Sequence, residues 1–238
     1  MKPLGMIGGL GPESTVDYYR YLVEEYRERT RNDTYPPILI NSIDLQKARW
    51  MVEQKKYPEL TAYLVEEVER LANAGAGLGF LSANTPHIVF DEVRERCTLP
   101  LVSIVEAARH AAEELGYRRL GLIGTAFTMQ ARFFPEVFAR GGMSIAVPNE
   151  EEQQYIHEKY LNELVRGAFL PETRSHLLQI VDAMKLRDQI DAVILGGTEL
   201  PLLLTDVSSA SVPLLDTTRI HVKAILSQWL GTFGGVQP

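Results

Sequence analysis

One three-part pattern occurs twice in this chain of 238 residues. "LGMIGGLG" at 4–11 returns as "LGLIGTAF" at 120–127, "GFLSANTPH" at 79–87 aligns with "VILGGTELP" at 193–201, and "TLPLVSI" at 98–104 aligns with "SVPLLDT" at 211–217. The order is the same and the offset stays between 113 and 116 residues. A nearly fixed offset over three segments is the mark of a duplicated supersecondary unit. Each copy reads as a strand, glycine turn and helix, then a strand ending in a small-residue turn, then an "xPLxx" strand. The expected fold is therefore α/β, with two pseudo-symmetric Rossmann-like lobes. Each lobe has a mostly parallel sheet flanked by helices, with an active-site cleft between them. The N-terminal lobe is expected at 1–100 plus about 212–238, and the C-terminal lobe at 101–211.

The elements between the repeats support this reading. "PESTVDYYRYLVEEYRERT" places Val16, Tyr19, Leu22, Val23 and Tyr26 at helical spacing. "PPILINSI" reads as a strand, "YPELTAYLVEEVERLANAGA" as a helix ended by Gly75, "LGFLSA" as a strand and "PHIVFDEVRERC" as a short helix. Further on come a helix from about Thr128 to Arg140, the strand "MSIAVP", two helices between Glu150 and Leu186, and a final helix from about Thr217. Strands that are apolar on both faces and separated by helices imply a parallel sheet covered on both sides.

Charge and cysteine usage narrow the partners. The net charge of −7 argues against nucleic acid or an anionic membrane surface. No run approaches 18 apolar residues, so no membrane span is expected. The opening "MKPLGMIGG" is too short and glycine-rich in its apolar run to read as a signal peptide. The single cysteine, Cys97, excludes an internal disulfide and a cysteine-based metal cluster, and a cytoplasmic location is expected. Cys97 itself follows "DEVRER" and reads as a buried structural thiol.

In open parallel sheets ligands collect beyond the carboxyl ends of the strands. Four loops meet that description here: Gly8–Ser14, Ser82–Thr85, Gly124–Thr128 and Gly196–Glu199. All are small or polar, and each soon meets a helix start, where backbone N–H groups favour an anion such as a carboxylate. The first loop, "GGLGPES", is neither G-x-G-x-x-G nor a P-loop, so no nucleotide is implied.

"ANTPH" and "GGTEL" carry a resemblance that extends over nearly the whole chain. Together with "IGGLGPESTVDYY", "CTLP", "LGLIGTAFTM" and "PLLDTTRIH", they make the sequence similar to the aspartate/glutamate racemase family, within the wider Asp/Glu/hydantoin racemase group. The resemblance implies a homodimer with two α/β lobes. It also implies proton transfer at the Cα of a small acidic amino acid, with no cofactor and no metal. In that family one cysteine in each lobe flanks the substrate, and one thiolate removes the α-proton while the other thiol returns one from behind. The carboxylate ligand is then expected to meet Gly9, Ser82, Asn84, Thr85, Thr125, Thr128 and Thr198, with Lys159 reaching it from the acidic helix start "NEEEQQYIHEKY".

The chain departs from that pattern at the reacting positions. The first cysteine falls on Ala83, the second on Gly197, and the two positions share the internal offset of 114. Some members carry Thr at the first position and keep the second cysteine; this chain keeps neither. Three readings follow. The chain transfers protons with substitute groups, for which His87, Glu199 and Asp44 are the candidates. Alternatively it binds an amino acid or small carboxylate without chemistry. In the third reading a larger substrate enters and a lyase or cyclase reaction takes over. For the candidates there are plainer roles: His87 as a loop brace, Glu199 as a helix-terminus charge, and Asp44 in a strand-end turn.

Overall fold

The computed structural model describes residues 1–31, 33–204 and 210–233. The chain forms two compact units, residues 1–104 with the chain from His221 on, and Val105–Ile220.

The first unit holds a parallel four-stranded sheet in the order β2-β1-β3-β4, from β1 (Leu4–Gly8), β2 (Ile38–Ser42), β3 (Leu78–Leu81) and β4 (Leu101–Val102). The second holds the matching sheet, β6-β5-β7-β8, from β5 (Arg119–Ile123), β6 (Ser144–Ala146), β7 (Ala192–Leu195) and β8 (Leu214–Asp216). The duplication read from the sequence is thus repeated strand for strand, down to register: Ser82 N–H donates to the Ile7 carbonyl at 3.0 Å, and Gly196 N–H donates to that of Ile123 at 2.7 Å. The strand "VPLLD" closes the second sheet as β8, so the chain crosses to the first unit only at His221, not near residue 212.

The inner strands β3 and β7 are buried along their whole length, as their apolar composition requires. In the first unit the core gathers Leu4, Met6, Tyr18, Leu22 and Phe80 with Val222, Ile225 and Trp229. The last three come from α11 (Thr217–Phe233), and Trp229 Nε1 donates to the Lys2 carbonyl at 2.9 Å. The second unit has its own core, built on Ile123, Val193 and Leu195 with Ile156, Leu177 and Val181.

Helix boundaries follow local chemistry. α1 (Pro12–Thr30) opens on a proline, whose missing N–H costs nothing in the first turn. α3 (Tyr57–Asn73) is ended by Gly75 at φ +96°, and Ala76 N–H returns to the Leu71 carbonyl at 3.0 Å. α8 (Glu150–Asn162) starts with a capping box, in which Asn149 Oδ1 accepts from Glu152 N–H at 2.9 Å and Glu152 Oε2 accepts from Asn149 N–H at 2.8 Å. Asn149→Ala is expected to lower stability by about 1 kcal/mol, read as a shift in the urea midpoint; an unmoved midpoint would leave the cap without energetic weight.

Two expectations need correction. The single helix from about Thr128 to Arg140 is two, α6 (Ala126–Gln130) and α7 (Phe133–Ala139). Pro135 is the reason: its ring excludes a helical carbonyl four residues earlier, and Ala131 accordingly turns extended at ψ 161°. A helix passed over in the sequence, α2 (Leu45–Glu53), follows β2, capped by Asp44, whose Oδ1 accepts from Gln46 N–H at 2.8 Å. The remaining helices are α4 (Phe90–Arg96), α5 (Ile104–Glu114), α9 (Pro171–Asp188) and α10 (Leu200–Leu203). Among the described residues no helix is long and apolar enough to cross a membrane.

Candidate functional site

The two loops that follow β3 and β7 hold most of the expected site residues, one loop in each unit. Ala83 and Gly197 occupy equivalent places, each the second residue past its strand.

In the first unit the loop is fixed by hydrogen bonds that use up its reactive-looking side chains. Ser82 is fully buried, its Oγ donates to the Ile7 carbonyl at 3.0 Å, and its own carbonyl accepts from Ser14 Oγ at 2.8 Å. Gly9 sits at φ +77° with its N–H donated to Thr15 Oγ1 at 2.9 Å, and a Cβ there would stand 2.3 Å from the Ile43 carbonyl oxygen. Only glycine fits that approach. The Gly9 amide, expected on a ligand carboxylate, is thus already given to Thr15. Asn84 is buried, and Thr85 opens the 3-10 turn Thr85–Val89.

His87 is locked by its surroundings. Its Nε2 accepts from Ile104 N–H at 3.2 Å, which leaves Nδ1 as the protonated nitrogen that donates to the Ala83 carbonyl at 3.0 Å. Its ring stacks on Phe90 with centroids 4.6 Å apart. Burial, then the neighbouring His221, pulls its pKa down to about 3. A neutral imidazole with both nitrogens committed to backbone is a brace that shapes the Ala83 loop.

His221 is held the same way. Its Nε2 faces the Val102 carbonyl at 3.1 Å, so it carries the proton, and Nδ1 accepts from the Tyr18 hydroxyl at 2.8 Å. Burial lowers its pKa to about 3.

In the second unit Thr125 caps α6, accepting from Thr128 N–H at 3.2 Å, and the two hydroxyls lie 3.1 Å apart. Ala126 N–H donates to His157 Nδ1 at 3.3 Å. These first-turn donors are therefore engaged inside the unit. At Gly197 the arrangement is different in kind. The Tyr160 ring, from α8, fills the space a side chain would need: a Cβ on Gly197 would lie 2.3 Å from Cε2 and 2.7 Å from the hydroxyl. The Tyr160 hydroxyl donates to Glu199 Oε2, and Thr198 Oγ1 donates to the same oxygen at 3.0 Å. All three side chains are buried. Burial and the adjacent Glu199 carboxylate raise the Tyr160 pKa well above its ordinary value, so the phenol keeps its proton.

Lys159 lies one residue before Tyr160, but its ammonium is paired with Glu163, whose other oxygen accepts from Thr173 Oγ1 at 2.6 Å. That pairing raises the Lys159 pKa. Asp44 serves as the α2 cap. Cys97 ends α4, and burial followed by the Glu69 charge pushes its thiol up to about 11, which leaves it protonated and unreactive at neutral pH. Among the described residues no His, Cys, Asp or Glu cluster could hold a metal ion.

Tyr160 is the residue that sequence reading missed. In "YIHEKY" it looks like a core position four residues after Ile156, and nothing in the linear order ties it to Gly197.

Comparison with known proteins agrees with these motifs. The model of the family described as Asp/Glu/Hydantoin racemase matches residues 7–225. The chain is similar to the broad specificity amino-acid racemase RacX of Bacillus subtilis, 20% identical over 95% of this chain and 98% of that protein. Among solved structures it is similar to a putative Asp/Glu racemase from Yersinia pestis, with a TM-score of 0.87 and 27% identity over 97% of this chain and 100% of that one. It is also similar to an aspartate racemase homologue from Pyrococcus horikoshii OT3, with a TM-score of 0.82 and 32% identity over 96% and 99% of the two chains. With the duplicated sheets, the strand-end motifs and the family match in agreement, the chain belongs to the Asp/Glu/hydantoin racemase family.

Proposed function

We propose that this protein is a cofactor-independent isomerase-type enzyme that takes a small acidic amino acid and moves a proton at its Cα without a thiol. The observation that carries the reading is the equivalence of the β3 and β7 loops, "SANTPH" and "GGTEL", in a chain of this family. Asn84 and Thr85 are the polar groups that the β3 loop offers to a ligand carboxylate, while in the β7 loop Thr198 holds Glu199. The hydrogen bonds at Gly9, Ser82, Thr125 and Thr128 hold the loops in shape beforehand, so little reorganisation is needed when charge develops on the substrate.

A second reading, binding without turnover, is favoured by one specific observation. The β3 loop offers no acid or base, because Ala83 has none and both His87 nitrogens are engaged.

Incubation with L-aspartate or L-glutamate in D₂O, followed by proton NMR, separates the two. Turnover predicts loss of the α-proton signal over time together with ligand line broadening. Broadening with an intact α-proton signal supports the binding reading. No broadening with either amino acid would remove the acidic amino acid from the proposal.

A further inference from the structure

We propose that Tyr160 is the proton-carrying group of the β7 loop, relaying the substrate α-proton between Cα and Glu199. The inference rests on the proton-transfer reading above and gives that reaction an acid/base residue that the sequence motifs do not supply.

Three observations carry it. The Tyr160 hydroxyl stands 2.7 Å from where a Gly197 Cβ would be, so it occupies the place from which a residue 197 side chain would act. It donates to Glu199 Oε2, a carboxylate oxygen able to take the phenolic proton. Thr198 Oγ1 holds that same oxygen at 3.0 Å, which fixes the acceptor opposite the phenol and makes Thr198 a positioning residue. The glycine is a matching part of this device, since any side chain at 197 would displace the ring.

The step balances within these groups. The Cα–H bond breaks and its proton forms a new O–H bond at Tyr160 Oη. Oη at the same time passes its own proton to Glu199 Oε2. The electron pair left at Cα is delocalised into the substrate carboxylate, and Glu199 becomes the neutral acid. Reversal returns a proton to Cα and restores the Glu199 carboxylate. The phenol is suited to the return step, because it is protonated at rest and aligned by a fixed acceptor.

The test is α-proton exchange of L-aspartate and L-glutamate in D₂O by wild type, Tyr160→Phe and Glu199→Gln. Ligand binding is followed on the same samples by saturation-transfer NMR. Tyr160→Phe removes only the hydroxyl and is expected to slow exchange at least 100-fold with binding retained; Glu199→Gln is expected to do the same by removing the proton acceptor. Exchange by Tyr160→Phe at the wild-type rate would overturn the relay while leaving the proposed function standing. Wild-type binding without exchange would also overturn it. Wild type that neither binds nor exchanges would remove both proposals together. If Tyr160→Phe fails to fold by its melting curve, Glu199→Gln, which keeps Tyr160 in place, decides by the same criteria.

Discussion

Between pH 7 and pH 5 the folded state is expected to lose about 4 kcal/mol, half of it from each of two buried histidines, His87 and His221. Both are neutral in the fold with pKa values of about 3, against 6.5 for a free imidazole. A base whose folded pKa is lowered binds its proton more readily in the unfolded chain. Stability is therefore complete above pH 6.5 and falls as the pH drops from there toward 3. At pH 5 the cost is about 2 kcal/mol for each ring, from the ratio of the two protonation equilibria. The hydrogen bonds explain why the rings resist the proton. His87 Nε2 accepts from a backbone N–H and His221 Nδ1 accepts from the Tyr18 hydroxyl. A proton on either nitrogen would turn an acceptor against a donor. Urea midpoints at pH 7, 6 and 5 measure the loss, and the C–H signals of the two rings should stay in the neutral position throughout. Two rings titrating near 6.5 would show that the braces are not held as described.

Installing cysteine at both Ala83 and Gly197 is expected to yield a destabilised protein rather than a working two-thiol racemase. The residue at 197 is the obstacle. Gly197 has no positive φ, so its backbone alone would accept a side chain, but the Tyr160 ring lies where the Cβ would go. Overfilling a packed interior of this kind costs about 1–3 kcal/mol, and here it would also push the phenol off Glu199. Ala83 already carries a Cβ, and Ala83→Cys adds only a sulfur. The single variants should therefore separate: Ala83→Cys close to wild type in urea midpoint, Gly197→Cys clearly below it. A smaller residue at 160, as in Tyr160→Leu combined with Gly197→Cys, should recover part of the difference. Equal midpoints for Gly197→Cys and wild type would mean the ring moves aside at no cost.

The contrast between these two positions marks how far the sequence reading reached. The duplication was legible because it is a matter of offset, and the offset that related "LGMIGG" to "LGLIGT" relates the two sheets strand by strand. The loops after β3 and β7 were legible for the same reason. What the order of residues does not carry is which side chain fills a gap left by a glycine. Tyr160 comes from α8, which is separated from β7 in the chain by α9, and its meeting with Gly197 is a product of packing. His87 could be read as a brace or a base, and only its two backbone partners decide between them. Lys159 has a helical position suited to reaching outward, but Glu163 four residues later is the nearer partner. The break at Ala131 follows from Pro135, whose ring excludes a helical carbonyl four residues earlier.

The C-terminal helix α11 places Val222, Ile225 and Trp229 beside Leu4, Met6 and Tyr18. The second unit is one uninterrupted stretch, Val105 to Ile220, and can close from neighbouring chain. The first unit has to close across that whole stretch, so the entropy of a long loop falls on it alone. A chain lacking residues 221–233 would leave Leu4, Met6 and Tyr18 without their apolar cover.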